Sequence, residues 1–201
     1  LSCSCAPNVS EQWDSASFMW TVLATRPIAK GEEITASYIP EELPYSARQE
    51  KLQFWGFTCA CRVCSLPRAA RARSDNNRLG VSSPEFEEIF DPEDERPLLE
   101  WVADRSLPDD HIKQCRIAWD VLEEEGVSVP VARAAIAQRM CKAHCALKDE
   151  SGAREWATLA QQLAKALLFP PVLQAARWNQ VIEHPQRTDW WGRRVRNGGP
   201  K

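Results

Sequence analysis

At 201 residues, 44% hydrophobic and 26% charged, the chain is long enough for one good-sized domain or two small ones, and its composition excludes global disorder. Its 25 Lys and Arg against 28 Asp and Glu leave a formal charge of −3, which excludes a general attraction to nucleic acid or to an acidic membrane surface. No apolar run approaches the ~20 residues of a membrane span, and no basic segment followed by an apolar one directs export. An intracellular protein of the nucleus or cytoplasm is expected, with no membrane and no specific nucleic acid as partner. Leu1 is not a translation start, so the chain is expected to be processed or to be part of something longer.

In chain order, "SASFMWTVLATR" (Ser15–Arg26) is rich in aromatic and β-branched residues and predicts a strand. Lys30-Gly31 makes a turn before a second short strand over Ile34–Ile39. "SARQEKLQFWGF" predicts a helix with Ser46 as N-cap and Gln49 at capping-box spacing. That helix should end near Trp55, with Gly56 in the left-handed conformation that follows many helices. Residues 67–83 carry Arg68, Arg71, Arg73 and Arg78, and a solvated linker or helix face is favoured there over a basic docking patch.

The remainder reads as helical. Ser83-Pro84 resembles the N-cap and first position of a short helix carrying Phe86, Ile89 and Phe90. Beyond Pro108, Ile112, Cys115, Trp119 and Leu122 repeat at helical spacing until Gly126. Ala132, Ile136, Met140, Ala143 and Leu147 stripe one further helix; Trp156, Leu159, Leu163 and Leu167 stripe another. "KDESG" between them predicts an antiparallel hairpin, a single tetratricopeptide-like repeat or two helices of a generic bundle. The basic tail over 184–201 is expected to be frayed, with Trp190 and Trp191 as anchors at its start.

Eight cysteines stand at 3, 5, 59, 61, 64, 115, 141 and 145. Cys59, Cys61 and Cys64 form C-x-C-x-x-C, too close for easy bridging by disulfides but well suited to aiming three thiolates at one point. Zinc takes four such ligands in a closed tetrahedral site, and Cys5 or Cys3 can supply the fourth. Cys141, His144 and Cys145 share a helix face, but with no further ligand set nearby they are read as helix core. No carboxylate pair, Ser-His-Asp order or phosphate-cradling glycine loop appears.

"SCAPN" (Ser4–Asn8), "IAKGEEITASYI" (Ile28–Ile39) and "RQEKLQFWGFTCACRVC" (Arg48–Cys64) together resemble the C-terminal half of a SET domain with its post-SET zinc loop, in the MYND-associated branch of protein-lysine methyltransferases. The resemblance implies an α+β fold: a small β-rich, zinc-closed half-domain at 1–66, a basic linker at 67–83, a helical, tetratricopeptide-like region at 84–183 and a flexible tail at 184–201. It makes Cys5 the fourth ligand to structural Zn2+ beside Cys59, Cys61 and Cys64. It makes Tyr38 the active-site tyrosine, since a phenol, protonated near neutral pH, can orient an amine or a methyl group without competing as a nucleophile. It gives Phe57 as an aromatic wall and Ser2 and Cys3 as the cofactor contacts, with S-adenosylmethionine as the cofactor. The protein partner it implies is a lysine-containing substrate such as a histone, with a further peptide or protein partner for the helical region.

Ser2-Cys3 stands where the family has Asn-His, so at least one cofactor contact should be weaker, and Cys3 is a competitor for the metal. No Gly-x-Gly cofactor loop precedes the cysteine motif in these residues, so the chain by itself is expected to be inactive. The alternatives are a catalytically dead, zinc-stapled interaction module and, less favoured, an unrelated zinc knuckle for single-stranded nucleic acid.

Overall fold

A computed structural model describes residues 1–15, 17–91, 94–166 and 177–194 of the chain. They divide into two units, one of Leu1–Glu87 with Asp120–Val129 and one of Glu88–Trp119 with Pro130–Lys201.

The first unit holds β1 (Ser2–Cys3), β2 (Val9–Asp14), β3 (Met19–Ala24), β4 (Thr35–Ala36), α1 (Tyr45–Gln53) and α2 (Arg68–Val81). β1 pairs in parallel with β4, setting Ser2 opposite Thr35 and Cys3 opposite Ala36. β2 and β3 form an antiparallel ribbon from Val9–Ala24 to Asp14–Met19. The strand expected over Ser15–Arg26 therefore begins at Met19, and the strand expected over Ile34–Ile39 shrinks to Thr35–Ala36. The partner β2 has little β-branched content in "VSEQWD" and gave no strand signal of its own. Asn8 ties the elements together while almost fully buried. Its side chain donates to Glu32 Oε1 at 3.0 Å and Glu33 O at 2.8 Å and accepts from the Thr35 N–H at 2.8 Å.

α1 begins one residue before Ser46, with Pro44 at the N-cap and no side-chain cap. Gly56 adopts φ +79°, the expected left-handed turn after the helix. The span expected as a linker contains the 14-residue helix α2, and Arg78 within it is fully buried rather than solvated. Its Nε lies 3.0 Å from Glu125 Oε2 and its Nη2 2.8 Å from Glu125 O, while Ser74 and Asn77 donate to the same carboxylate. Composition cannot reveal this, because the acid that draws the arginine inward lies 47 residues away.

α3 (Pro84–Ile89) starts as expected, with Ser83 Oγ accepting the Phe86 N–H at 3.1 Å. α4 (Arg96–Ala103), α6 (Pro130–Ala146), α7 (Glu150–Ala166) and α8 (Arg177–Glu183) belong to the second unit; α5 (Asp110–Glu125) lies in it as far as Trp119 and ends in the first. Cys115 and Leu122 are buried on α5, and Gly126 stops it at φ +64°.

α6 and α7 pack as the expected hairpin, and Ile136, Met140, Ala143 and Trp156 of the expected stripes are buried. α6 is buried nearly all round, and the buried line of α7 runs through Ala153, Trp156, Ala157, Ala160 and Ala164, leaving Leu159 and Leu163 half-buried at its flank. Small residues on the buried line of a helix let its neighbours approach closely. Leu167 lies outside the described residues. Leu98, Trp101, Val102, Ala143 and Ala146 form a second cluster in this unit. The tail is built in as far as Arg194, which is 2% exposed, lies over the Trp101 ring at 4.1 Å and donates to Asp104 O at 2.8 Å. Among the described residues no helix is long and apolar enough to cross a membrane.

Candidate metal centre and the groove beside it

The loop after α1 is shaped from both sides. Gln49 on α1 closes a two-bond ring with the backbone of Cys59, accepting its N–H at 3.0 Å and donating to its carbonyl at 3.2 Å. Across the loop, Arg71 lies 3.9 Å over the Tyr45 ring and donates to Leu66 O at 3.0 Å. Between these supports the thiols of Cys59, Cys61 and Cys64 meet that of Cys5, which follows β1. All four sulfurs lie within 4.8 Å of one another, with Cys5–Cys59 at 4.0 Å and Cys5–Cys64 at 3.6 Å.

A Zn–S bond of about 2.3 Å in a tetrahedron demands an S···S edge of about 3.8 Å, so the spacing fits zinc; disulfides, at about 2.05 Å, are ruled out. Leu52, wholly buried, packs beneath the sulfurs. The four thiols are also electrostatically coupled. Hydrogen bonds from Cys5 and Cys64 hold the Cys61 thiol far below the usual range, while the bond to Cys61, the bond to Cys64 and burial push Cys5 up. The bond to Cys5 draws Cys64 down, but the bond to Cys61 and burial carry it up to about 11. Once one sulfur ionises, the next does so only at a cost, and a dication removes that cost as it displaces the protons. Cys3, half-buried, stands outside the tetrad, and burial raises its thiol. Cys141 and Cys145 are buried in α6, while His144 Nδ1 pairs with Asp149 at 2.8 Å at the helix surface; among the described residues the three gather no further ligand.

Beside the tetrad lies an open groove of about 680 Å³, bordered by Leu1, Ser2, Cys3, Tyr38, Phe57 and Cys61 among others. The sequence-predicted contacts Ser2, Cys3, Tyr38 and Phe57 are thus brought together against the cysteine loop. Ser2 Oγ donates to Glu33 Oε1 at 2.5 Å, and the Tyr38 hydroxyl donates to the Leu1 carbonyl. The Tyr38 ring stands 6.3 Å from Phe57 at 84° and 5.1 Å from Trp55 at 51°. Behind the groove, Glu32 is held down to about 2 by its hydrogen bond from Arg26, with the Ala29 N–H and Asn8 adding to it. Gln49, Glu33 and Trp55 also belong to the site; each lies within the SET-like segments, but its partner, Cys59, Ser2 or Tyr38, is too distant in sequence for local spacing to reveal.

A model of the SET domain family matches residues 1–39. The chain is 43% identical over 63 residues to histone-lysine N-methyltransferase ATXR2 of Arabidopsis thaliana, covering 30% of this chain and 13% of that protein. It is 41% identical over 76 residues to histone-lysine N-methyltransferase set5 of Schizosaccharomyces pombe, covering 37% and 24%. It is 40% identical over 85 residues to histone-lysine N-methyltransferase SET5 of Meyerozyma guilliermondii, covering 40% and 18%. The amino-terminal part of the chain is thus similar to SET-domain sequence, including that of proteins named histone-lysine N-methyltransferases. The chain spans a quarter or less of the length of these curated relatives.

Proposed function

We propose that the chain is the C-terminal part of a SET-domain protein-lysine N-methyltransferase, of the MYND-associated branch with a post-SET zinc loop. In this reading it transfers methyl groups from S-adenosylmethionine to lysines of a protein such as a histone, in the nucleus or cytoplasm. One observation carries the reading: Tyr38 and Phe57 border the same groove as Cys59 and Cys61 of the four-sulfur cluster. Four protein thiolates leave zinc no open position, so the metal is structural and fixes the Phe57 wall.

The groove, about 680 Å³, lies in the range of roughly 300–1,000 Å³ typical of small-molecule sites. Its aromatic faces suit a cationic sulfonium. When bound, S-adenosylmethionine supplies a methyl group made electrophilic by that sulfonium. Ser2 and Cys3 would hold it along β1, Phe57 would close the channel on one side, and Tyr38 would orient the lysine amine through its oxygen. The Ser2 hydroxyl is engaged by Glu33, which weakens the contact an asparagine would make there. Because the relatives are longer, activity is assigned to a product in which further SET residues complete the groove, and the 201-residue chain is expected to be inactive alone. The helical unit is assigned a peptide or protein partner, as a tetratricopeptide-like platform.

Elemental analysis should find one zinc per chain, lost on Cys59→Ser; metal-free protein would overturn the stapled site. S-adenosylmethionine binding is then measured on a longer form. Zinc without cofactor binding would support the second reading, a catalytically dead interaction module, which the Ser2–Glu33 bond favours. Methylation by the 201-residue chain alone would overturn its inactivity.

A further inference from the structure

Among the described residues, the β2–β3 ribbon carries an exposed aromatic face. Trp13 and Trp20 are cross-strand partners, with ring centroids 5.6 Å apart and planes at 55°. Phe18 sets its ring 6.1 Å from Trp13 at 83°. These three side chains are 45%, 65% and 79% exposed for Trp13, Trp20 and Phe18, well beyond what a lone surface aromatic requires. Phe18 reaches its place with φ +55°, a backbone conformation unfavourable for a bulky residue.

Charge decides what kind of occupant suits the face. Residues 9–24 contain Glu11 and Asp14 and no Lys or Arg. Glu11 is exposed and lies two positions from Trp13, hence on the same side of the ribbon. Arg26, just past β3, is paired with Glu32 at the other end. Aromatic faces are themselves partly negative, so the rings and the carboxylate select the same occupant, a cation with an apolar surface. A bare lysine ammonium is compact and strongly hydrated. Methyl groups remove its N–H donors, weaken that hydration and add apolar contact, while the charge stays.

We propose that this face binds methylated lysine side chains of a basic peptide. None of its residues borders the groove beside the zinc loop, so the site goes beyond the proposed methyl transfer and stands without it.

The test titrates the 201-residue chain calorimetrically with three versions of one basic peptide. They carry lysine, trimethyl-lysine, or a neutral isostere with carbon in place of the ammonium nitrogen. Trimethyl-lysine should bind at least about tenfold more tightly than either of the others. Trp20→Ala and Phe18→Ala should abolish binding, and Glu11→Gln should weaken it about threefold, with zinc content and circular dichroism unchanged because all three positions are exposed. Equal binding of the neutral isostere, indifference to Trp20→Ala, or no binding at all would overturn the proposal. So would a dimer in sedimentation velocity that Trp20→Ala dissolves, since the occupant would then be a second copy. Loss of S-adenosylmethionine binding elsewhere leaves this result untouched.

Discussion

Gln49 lies ten residues before Cys59 and holds that residue's backbone by both its donor and its acceptor. Ser46-x-x-Gln49 fits a capping box, but the amide leaves the helix end and supports the metal loop instead. Local spacing describes partners within a turn of helix and is blind to one in the following loop. Gly56 was legible for the opposite reason: the left-handed turn at φ +79° is a local demand that glycine meets cheaply. The cysteines were legible because soft ligands at close spacing have few other uses. Gln49→Leu should weaken zinc binding by about 10- to 100-fold, as loss of an outer support does at other metal sites. Competition with a chromophoric chelator measures this. Gln49→Glu, which keeps the acceptor for the Cys59 N–H and loses the donor, should fall between wild type and Gln49→Leu. A chelator curve for Gln49→Leu superimposed on wild type would show the ring to be idle.

At the scale of elements, helices announced themselves by apolar period, and α5 kept Cys115 and Leu122 inside as that period required. α2 escaped because its buried side includes an arginine and a serine, which no hydrophobic pattern marks. β2 escaped because its strand character is conferred by pairing with β3. The buried alanines of α7 were not marked in the sequence, because a stripe is read from its large apolar residues. The α2 arginine makes a sharp prediction. Desolvation lowers the Arg78 guanidinium from its ordinary value, and Glu125 compensates with a direct ion pair at 3.0 Å. Arg78→Ala would leave Glu125 buried without its cation, at a cost of about 3–5 kcal/mol in urea denaturation. The double replacement Arg78→Met with Glu125→Leu, which removes both charges, should recover most of that loss. If the single variant loses less than about 1 kcal/mol, the pair is not buried as described.

At the scale of the whole molecule, composition excluded global disorder, yet its three histidines gave no hint of a response to acid. His111 is buried, with its ring 5.8 Å from Trp101 at 29° and its Nε2 4.0 Å from Cys115 Sγ. Burial first, and the charge of Arg139 second, lower it to about 4. An unfolded histidine takes up its proton near pH 6.5, while the folded one stays neutral until about 4. Between those values the unfolded state binds more protons, so stability rises with pH across the window and is lost on acidification through it. The loss should be about 2 kcal/mol by pH 5 and about 3 kcal/mol once both forms are protonated, with no contribution above about pH 7. Carboxylates such as Asp94, held down to about 2 by Arg96, lose their contributions lower in the range, from the ordinary carboxylate value downward. On the proposed zinc reading, protonation of the four thiols also weakens the fold in acid, but it acts equally on a variant without the histidine. Urea midpoints for wild type and His111→Gln, taken at intervals from pH 7.5 to 4.5, isolate the histidine as their difference. That difference should narrow steadily as the pH falls, because only the wild type carries the penalty; parallel curves would mean that the buried ring does not set the acid response.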